Sequence, residues 1–161
     1  MKKILITGIT GFVGSHLAEY LLSLKDIDVN GFVRWRSPKD NIENILDKVK
    51  LWYGDLLDPH SVLNCLDELR PDYIFHLAAQ SYVVYSYQAP LSTIDVNCSG
   101  TVNLLESVKR LKLIDKYDSI IHICSSSEVY GQVHPKHVPI KEDCPFNPAS
   151  PYAVSKVCED M

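Results

Sequence analysis

No apolar run in this 161-residue sequence approaches the length of a membrane-spanning helix, ~20 residues, so no membrane association is expected. The opening Met1-Lys2-Lys3-Ile4-Leu5-Ile6-Thr7-Gly8 has too short an apolar stretch for a secretory signal and runs directly into a glycine motif. A basic excess is also missing: 16 lysines and arginines against 20 acids leave a formal net charge of -4. Phosphate-backbone binders carry a basic stripe, so nucleic acid is not an expected partner. There is no C-x-x-C pair. The cysteines Cys65, Cys98, Cys124, Cys144 and Cys158 are odd in number and widely spaced, which suits small core residues or idle thiols in a reducing, cytoplasmic compartment. Repeats, low-complexity tracts and linker composition are absent too, and the expectation is one domain over residues 1–161.

What is present is ordinary globular composition, 46% hydrophobic and 22% charged, patterned as alternating strands and helices. Short apolar runs at 3–7, 29–33, 49–53, 73–77 and 119–124 read as strands. Helical spacing covers 15–24, a short stretch near 42–47, 59–69 after the start signal Asp58-Pro59, 92–111, and a final helix from Ser150-Pro151. Tyr82, Tyr85 and Tyr87 fall in a connecting loop on this reading, and His76 and His122 lie on strands as core or sheet residues. His134-Pro135-Lys136-His137 reads as a surface loop, because its spacing with Cys144 fits no standard metal site. Strands alternating with helices imply β-α-β units and an α/β fold with a doubly wound parallel sheet, Rossmann-type.

Gly8-Ile9-Thr10-Gly11-Phe12-Val13-Gly14 lies between the first strand and first helix. Glycines there allow a tight turn, the approach of a pyrophosphate, and close helix–strand packing. The helix N-terminus then offers unpaired N–H groups and a positive dipole end to phosphate. The G-x-x-G-x-x-G spacing is weak alone; its position after an N-terminal strand makes dinucleotide binding the expectation. NAD readers place an acid at the end of the second strand, on the ribose hydroxyl. Here Gly31-Phe32-Val33-Arg34-Trp35-Arg36 puts Arg34 and Arg36 in that place. Guanidinium forks suit a 2′-phosphate, so NADP (NADPH) is expected and NAD less so; the alternative is a solvated basic turn. Asp55 and Leu56, after the third strand, are candidates for the adenine edge, with Asp55 equally suited to a turn.

Tyr152-Ala153-Val154-Ser155-Lys156 sets a phenol and an ammonium one helical turn apart. A phenol titrates near ~10 and is a poor base at neutrality, but a neighbouring cation favours phenolate. Such a couple can take a proton from a sugar hydroxyl while hydride leaves the carbon. Cys124-Ser125-Ser126-Ser127-Glu128-Val129-Tyr130-Gly131 leaves the C-terminal end of the fifth strand, where open α/β sheets bind ligands. Hydroxyls followed by a carboxylate supply a hydrogen-bond donor and a second acid/base, as an elimination needs; a polar turn is the alternative.

Together with His76-Leu77-Ala78-Ala79-Gln80-Ser81-Tyr82-Val83 and Asp95-Val96-Asn97, these motifs resemble the extended short-chain dehydrogenase/reductase family. The stretch from His76 to Val83 and the arginine turn are similar to its GDP-mannose 4,6-dehydratase branch. The resemblance implies that Tyr152 is the base toward the sugar C4 hydroxyl and that Lys156 supports it and holds the nicotinamide ribose. It implies that Glu128 removes the C5 proton and assists loss of water from C6. Ser126 stands where the family has a threonine. The loop Gly8, Thr10, Gly11, Phe12, Val13 and Gly14, together with Leu77, Ala78 and Ala79, would line the cofactor. Ser127 would meet the substrate, Ser81 the substrate or the nicotinamide phosphate, and Asn97 would support the site from the long helix. The implied reaction is 4,6-dehydration of a nucleotide sugar such as GDP-mannose, by an enzyme that pairs into a homo-oligomer in its full-length form. Family members continue into a C-terminal substrate domain beyond the matched motifs, so an incomplete NADP-binding part with weak or no turnover is expected from these 161 residues. An NADPH-dependent 4-keto-sugar reductase, a 4-epimerase and a non-catalytic cofactor-binding fragment remain alternatives.

Overall fold

The computed structural model describes residues 1–161. The chain forms two compact units: residues 1–78 with 100–124, and residues 79–99 with 125–161.

The first unit is built on a parallel sheet. β1 (Lys2–Thr7), β2 (Ile27–Val33), β3 (Lys50–Tyr53), β4 (Tyr73–His76) and β5 (Ile120–Ile123) lie in the order β3-β2-β1-β4-β5. In β1, Ile4, Leu5, Ile6 and Thr7 are all buried, as a central strand covered on both faces must be. Its register sets Thr7 beside Phe32 of β2 and His76 of β4, so the three strands end together. The two faces carry separate cores. One gathers Leu5, Phe32, Leu66, Ile74, Leu104 and Val108 from the sheet, α2 (Pro59–Leu69) and α5 (Gly100–Asp115). The other gathers Ile4, Ile6, Ile9, Ala18, Val29 and Ile42 from the sheet, α1 (Phe12–Leu22) and a 3₁₀ turn at Asp40–Ile45. The start of α2 follows the sequence signal: the Asp58 carboxylate accepts from the His60 N–H at 3.1 Å, and Pro59 takes the first helical position, where no N–H is needed. No helix is long and apolar enough to cross a membrane.

The second unit contains α3 (Val83–Gln88), α4 (Pro90–Ile94), a π-helical turn (Asp95–Ser99), 3₁₀ turns at Ser127–Tyr130 and Pro135–His137, and α6 (Pro151–Asp160). Two sequence expectations need correction here. Tyr85 and Tyr87 are helical, not loop residues: Pro90 ends α3 and opens α4, splitting a segment whose propensities read as irregular. The long helix expected from Ser92 starts at Pro90 and contains the π turn, which hydrophobic spacing does not register. Helix α1 also begins earlier than expected, at Phe12, because glycine at its N-cap leaves no side-chain signal.

Candidate functional site

In the first unit the candidate cofactor residues lie at the C-terminal ends of the strands. Gly8 has φ +75°, and a Cβ there would lie 2.9 Å from the Ala78 backbone. Both the left-handed turn and the approach of the β4 exit therefore require glycine. Gly11 N–H donates to the Gly8 carbonyl at 2.9 Å, closing the turn. Asn41 fastens it from outside by donating to the Thr10 carbonyl at 2.9 Å, a contact with no sequence signature. Gly14 presses hardest on its neighbours: a Cβ would stand 2.3 Å from the Gly8 carbonyl oxygen.

The beginning of α1 is left open. Its N-cap is Gly11, no side chain caps it, and its first turn holds no acid. Its leading N–H donors and positive dipole end are thus not neutralised by the chain, which suits a bound anion. Phe12 and Val13 are 76% and 59% exposed, so this opening has an apolar surface. A dinucleotide pyrophosphate fits these features. Thr7 Oγ1 braces the strand ends, accepting from the Ala78 N–H at 3.1 Å and lying 2.9 Å from His76 Nδ1; His76 Nε2 lies 3.0 Å from Thr101 Oγ1. His76 is accordingly a buried structural residue. Leu77 and Ala78 are partly exposed beside it.

Arg34 and Arg36 follow the end of β2 and are solvent-exposed, with the Arg36 guanidinium 4.5 Å from the Trp35 ring centroid. The Asp55 carboxylate accepts from the Leu57 N–H at 3.0 Å, an Asx turn. Leu56 is buried, and its carbonyl accepts from Asn103 at 2.7 Å, so its side chain belongs to the core.

In the second unit, α6 starts as its sequence reads: Ser150 Oγ accepts from the Ala153 N–H at 3.0 Å and Pro151 follows it. Tyr152 and Lys156 are both buried, and the ammonium lies 5.9 Å from the phenol ring centroid. Asn97, fully buried in the π turn, accepts from Gln80 N–H at 2.8 Å and donates to the Gln80 carbonyl at 3.2 Å and to Ser155 Oγ at 2.8 Å. The segment carrying Ala79 and Ser81 is thereby tied to the middle of α6. Ser126 and Ser127 line a cleft of about 590 Å³ with Tyr130 and Phe146. Ser126 Oγ accepts from the Glu128 N–H at 3.2 Å, capping a short turn, and the Glu128 side chain is exposed to solvent. His134 accepts from the Lys136 N–H in an exposed turn, and no group of three or more His, Cys, Asp or Glu is arranged to hold a metal. Sequence reasoning missed Glu159, whose carboxylate pairs with Lys156 at 2.8 Å. Its position three residues on was readable; its burial was not.

A parallel sheet of this order, opening its first helix on a glycine turn and accompanied by a Tyr-x-x-x-Lys helix, defines a Rossmann-type protein of the extended short-chain dehydrogenase/reductase class. The chain belongs to the family described as GDP-mannose 4,6 dehydratase, whose profile matches residues 5–161. It is 41% identical to the GDP-mannose 4,6-dehydratase of Vibrio cholerae serotype O1 over 97% of its own length and 43% of that protein's. The human GDP-mannose 4,6 dehydratase is 39% identical over 95% of this chain and 42% of its own. The chain thus spans less than half the length of these relatives. Among solved structures, the UDP-glucose 4-epimerase of Thermus thermophilus in complex with NAD superposes with a TM-score of 0.84 at 30% identity, covering 98% of this chain and 48% of that one. RMD from Pseudomonas aeruginosa, complexed with NADPH, gives 0.75 at 32% identity over 99% and 46%.

Proposed function

We propose that residues 1–161 are the NADP-binding part of a nucleotide-sugar 4,6-dehydratase acting on GDP-mannose in the cytoplasm, as a homo-oligomer in its full-length form. The observation that carries this reading is the uncapped, acid-free start of α1 behind the Gly8–Gly14 turn, with arginines where an NAD reader has a carboxylate. Family membership and the dehydratase names of the relatives support it. The Gly8, Thr10, Gly11, Phe12, Val13 and Gly14 turn would hold the pyrophosphate through backbone N–H groups. Arg34 and Arg36 would take the 2′-phosphate bidentately. Asp55 and the Leu56 backbone would meet the adenine edge, and Leu77, Ala78 and Ala79 the rest of the dinucleotide.

NADP held there would supply the hydride acceptor that oxidation at the sugar C4 needs and the hydride donor that reduction at C6 needs. Tyr152 accepts the C4 hydroxyl proton, and the Lys156 cation favours the phenolate that does so. Ser126 donates a hydrogen bond to that hydroxyl, and Ser127 and Ser81 orient the substrate. Glu128 takes the C5 proton and delivers one to the departing C6 hydroxyl; once C6 is reduced, water protonates C5 and Tyr152 releases to water the proton it gained, so both residues end the cycle as they began.

Calorimetric titration tests the cofactor reading. NADPH should bind at least about tenfold more tightly than NADH, and removing both arginines (Arg34→Ala, Arg36→Ala) should erase that preference. Equal affinity for the two nucleotides in the unaltered chain refutes it. The resemblance to 4-epimerases favours a second reading on the same frame. Glu128→Gln separates the two, abolishing dehydration and sparing epimerisation.

A further inference from the structure

Glu159 sits three residues after Lys156, on the same face of α6. Its Oε2 is 2.8 Å from the lysine Nζ, and the two side chains are only 2% and 5% exposed. Its other oxygen, Oε1, is buried with no hydrogen-bond partner. A buried ion pair returns its desolvation cost only when the remaining lone pairs are also satisfied, and this one is half satisfied. Stability alone therefore gives a weak reason for a carboxylate at this place. Burial pushes the Glu159 carboxyl above the usual carboxylate range; Lys156 draws it back, and Asp160 adds to the rise.

We propose that Glu159 is a positioning residue: the counter-ion that holds the Lys156 ammonium and moderates its field at Tyr152. The geometry gives the sign. Lys156 lies 5.9 Å from the phenol ring centroid and by itself favours phenolate. A carboxylate at 2.8 Å from that ammonium cancels part of its charge. Elements packed against α6 are α3, α4, the π turn and the 3₁₀ turn at Ser127–Tyr130. Their titratable groups are Tyr85 and Tyr87, Asp95 and Cys98, and Glu128 and Tyr130, and α6 itself adds Cys158 and Asp160. None of them is a second cation, so Lys156 is the only positive charge among them for Glu159 to meet. The functional meaning rests on Tyr152 and Lys156 being the proton-transfer couple proposed above; the electrostatic arrangement does not.

The test follows tyrosine ionisation by NMR in protein labelled at tyrosine Cζ, with the Tyr152 resonance assigned by its loss in Tyr152→Phe. In Glu159→Gln the Tyr152 midpoint should move to lower pH by about 0.5 unit or more, a threefold change in the phenolate ratio. In Lys156→Met it should move to higher pH. If Glu159→Gln does not fold, Glu159→Asp, which keeps the charge one methylene further away, should move it in the same downward direction by less. A Tyr152 midpoint that is unmoved, or raised, in the Glu159 variant overturns the proposal, as does insensitivity to Lys156→Met. No cofactor or turnover enters the measurement, so failure to bind NADPH would count against the proposed function and leave this result intact.

Discussion

Gly14→Ala should be the most damaging methyl group that can be added to the phosphate turn. The new Cβ would stand 2.3 Å from the Gly8 carbonyl oxygen, 2.8 Å from Ile9 Cα and 2.9 Å from the Gly8 carbonyl carbon. All three are backbone atoms, so no side chain can swing aside, and α1 must lift from the end of β1. Overpacking of this kind costs about 3 kcal/mol, at the upper end of its usual range. Alanine recovers roughly 1 kcal/mol of helix propensity over glycine, leaving a net loss of about 2 kcal/mol. For a chain of this size that lowers Tm by about 4–8 °C. Gly11→Ala is the matched control. Its Cβ would meet only the Gly8 carbonyl, at 3.2 Å, and its φ of -79° suits any residue, so its loss should be less than half as large. Calorimetry or circular dichroism on the two variants reads the difference, and NADPH titration should show the weaker binding in Gly14→Ala. If Gly14→Ala melts with the parent, or Gly11→Ala melts lower than Gly14→Ala, the close-packing account of the turn is wrong.

Two further predictions follow from buried polar groups. Asn97→Ala strands the Gln80 N–H and carbonyl and takes from the Ser155 hydroxyl the donor it accepts from, leaving its bond to the Tyr152 carbonyl, and should cost about 2–4 kcal/mol in urea denaturation; a loss below about 0.5 kcal/mol would mean that water replaces the amide. Burial pushes the Cys65 and Cys98 thiols up to about 12, Cys98 with a further rise from the Cys158 thiol beside it. At pH 8 such a thiol is thiolate in about one molecule in ten thousand. Native alkylation at that pH should therefore label the exposed Cys124 long before the buried Cys65, as peptide mass spectrometry will show. Labelling of Cys65 at the rate of Cys124 would contradict its burial.

The sequence alone determined what depends on neighbours along the chain. Strand–helix alternation, the glycine spacing, Asp58-Pro59 and Ser150-Pro151 act within a few residues, where a cap or a turn is decided by local backbone chemistry. The parallel sheet and the turn before α1 were legible for that reason. Only the tertiary structure decided which polar groups meet across distance. Asn97 reaches Gln80 and Ser155, 17 and 58 residues away, and Asn41 reaches Thr10, 31 residues away. It also sent the Leu56 side chain to the core, made the Asp55 carboxylate part of a turn, and placed a helix under Tyr85 and Tyr87. Glu159 lies on both sides of this division. Its spacing from Lys156 is written in the chain, but the removal of water that gives the pair its strength arises only when other elements close over α6.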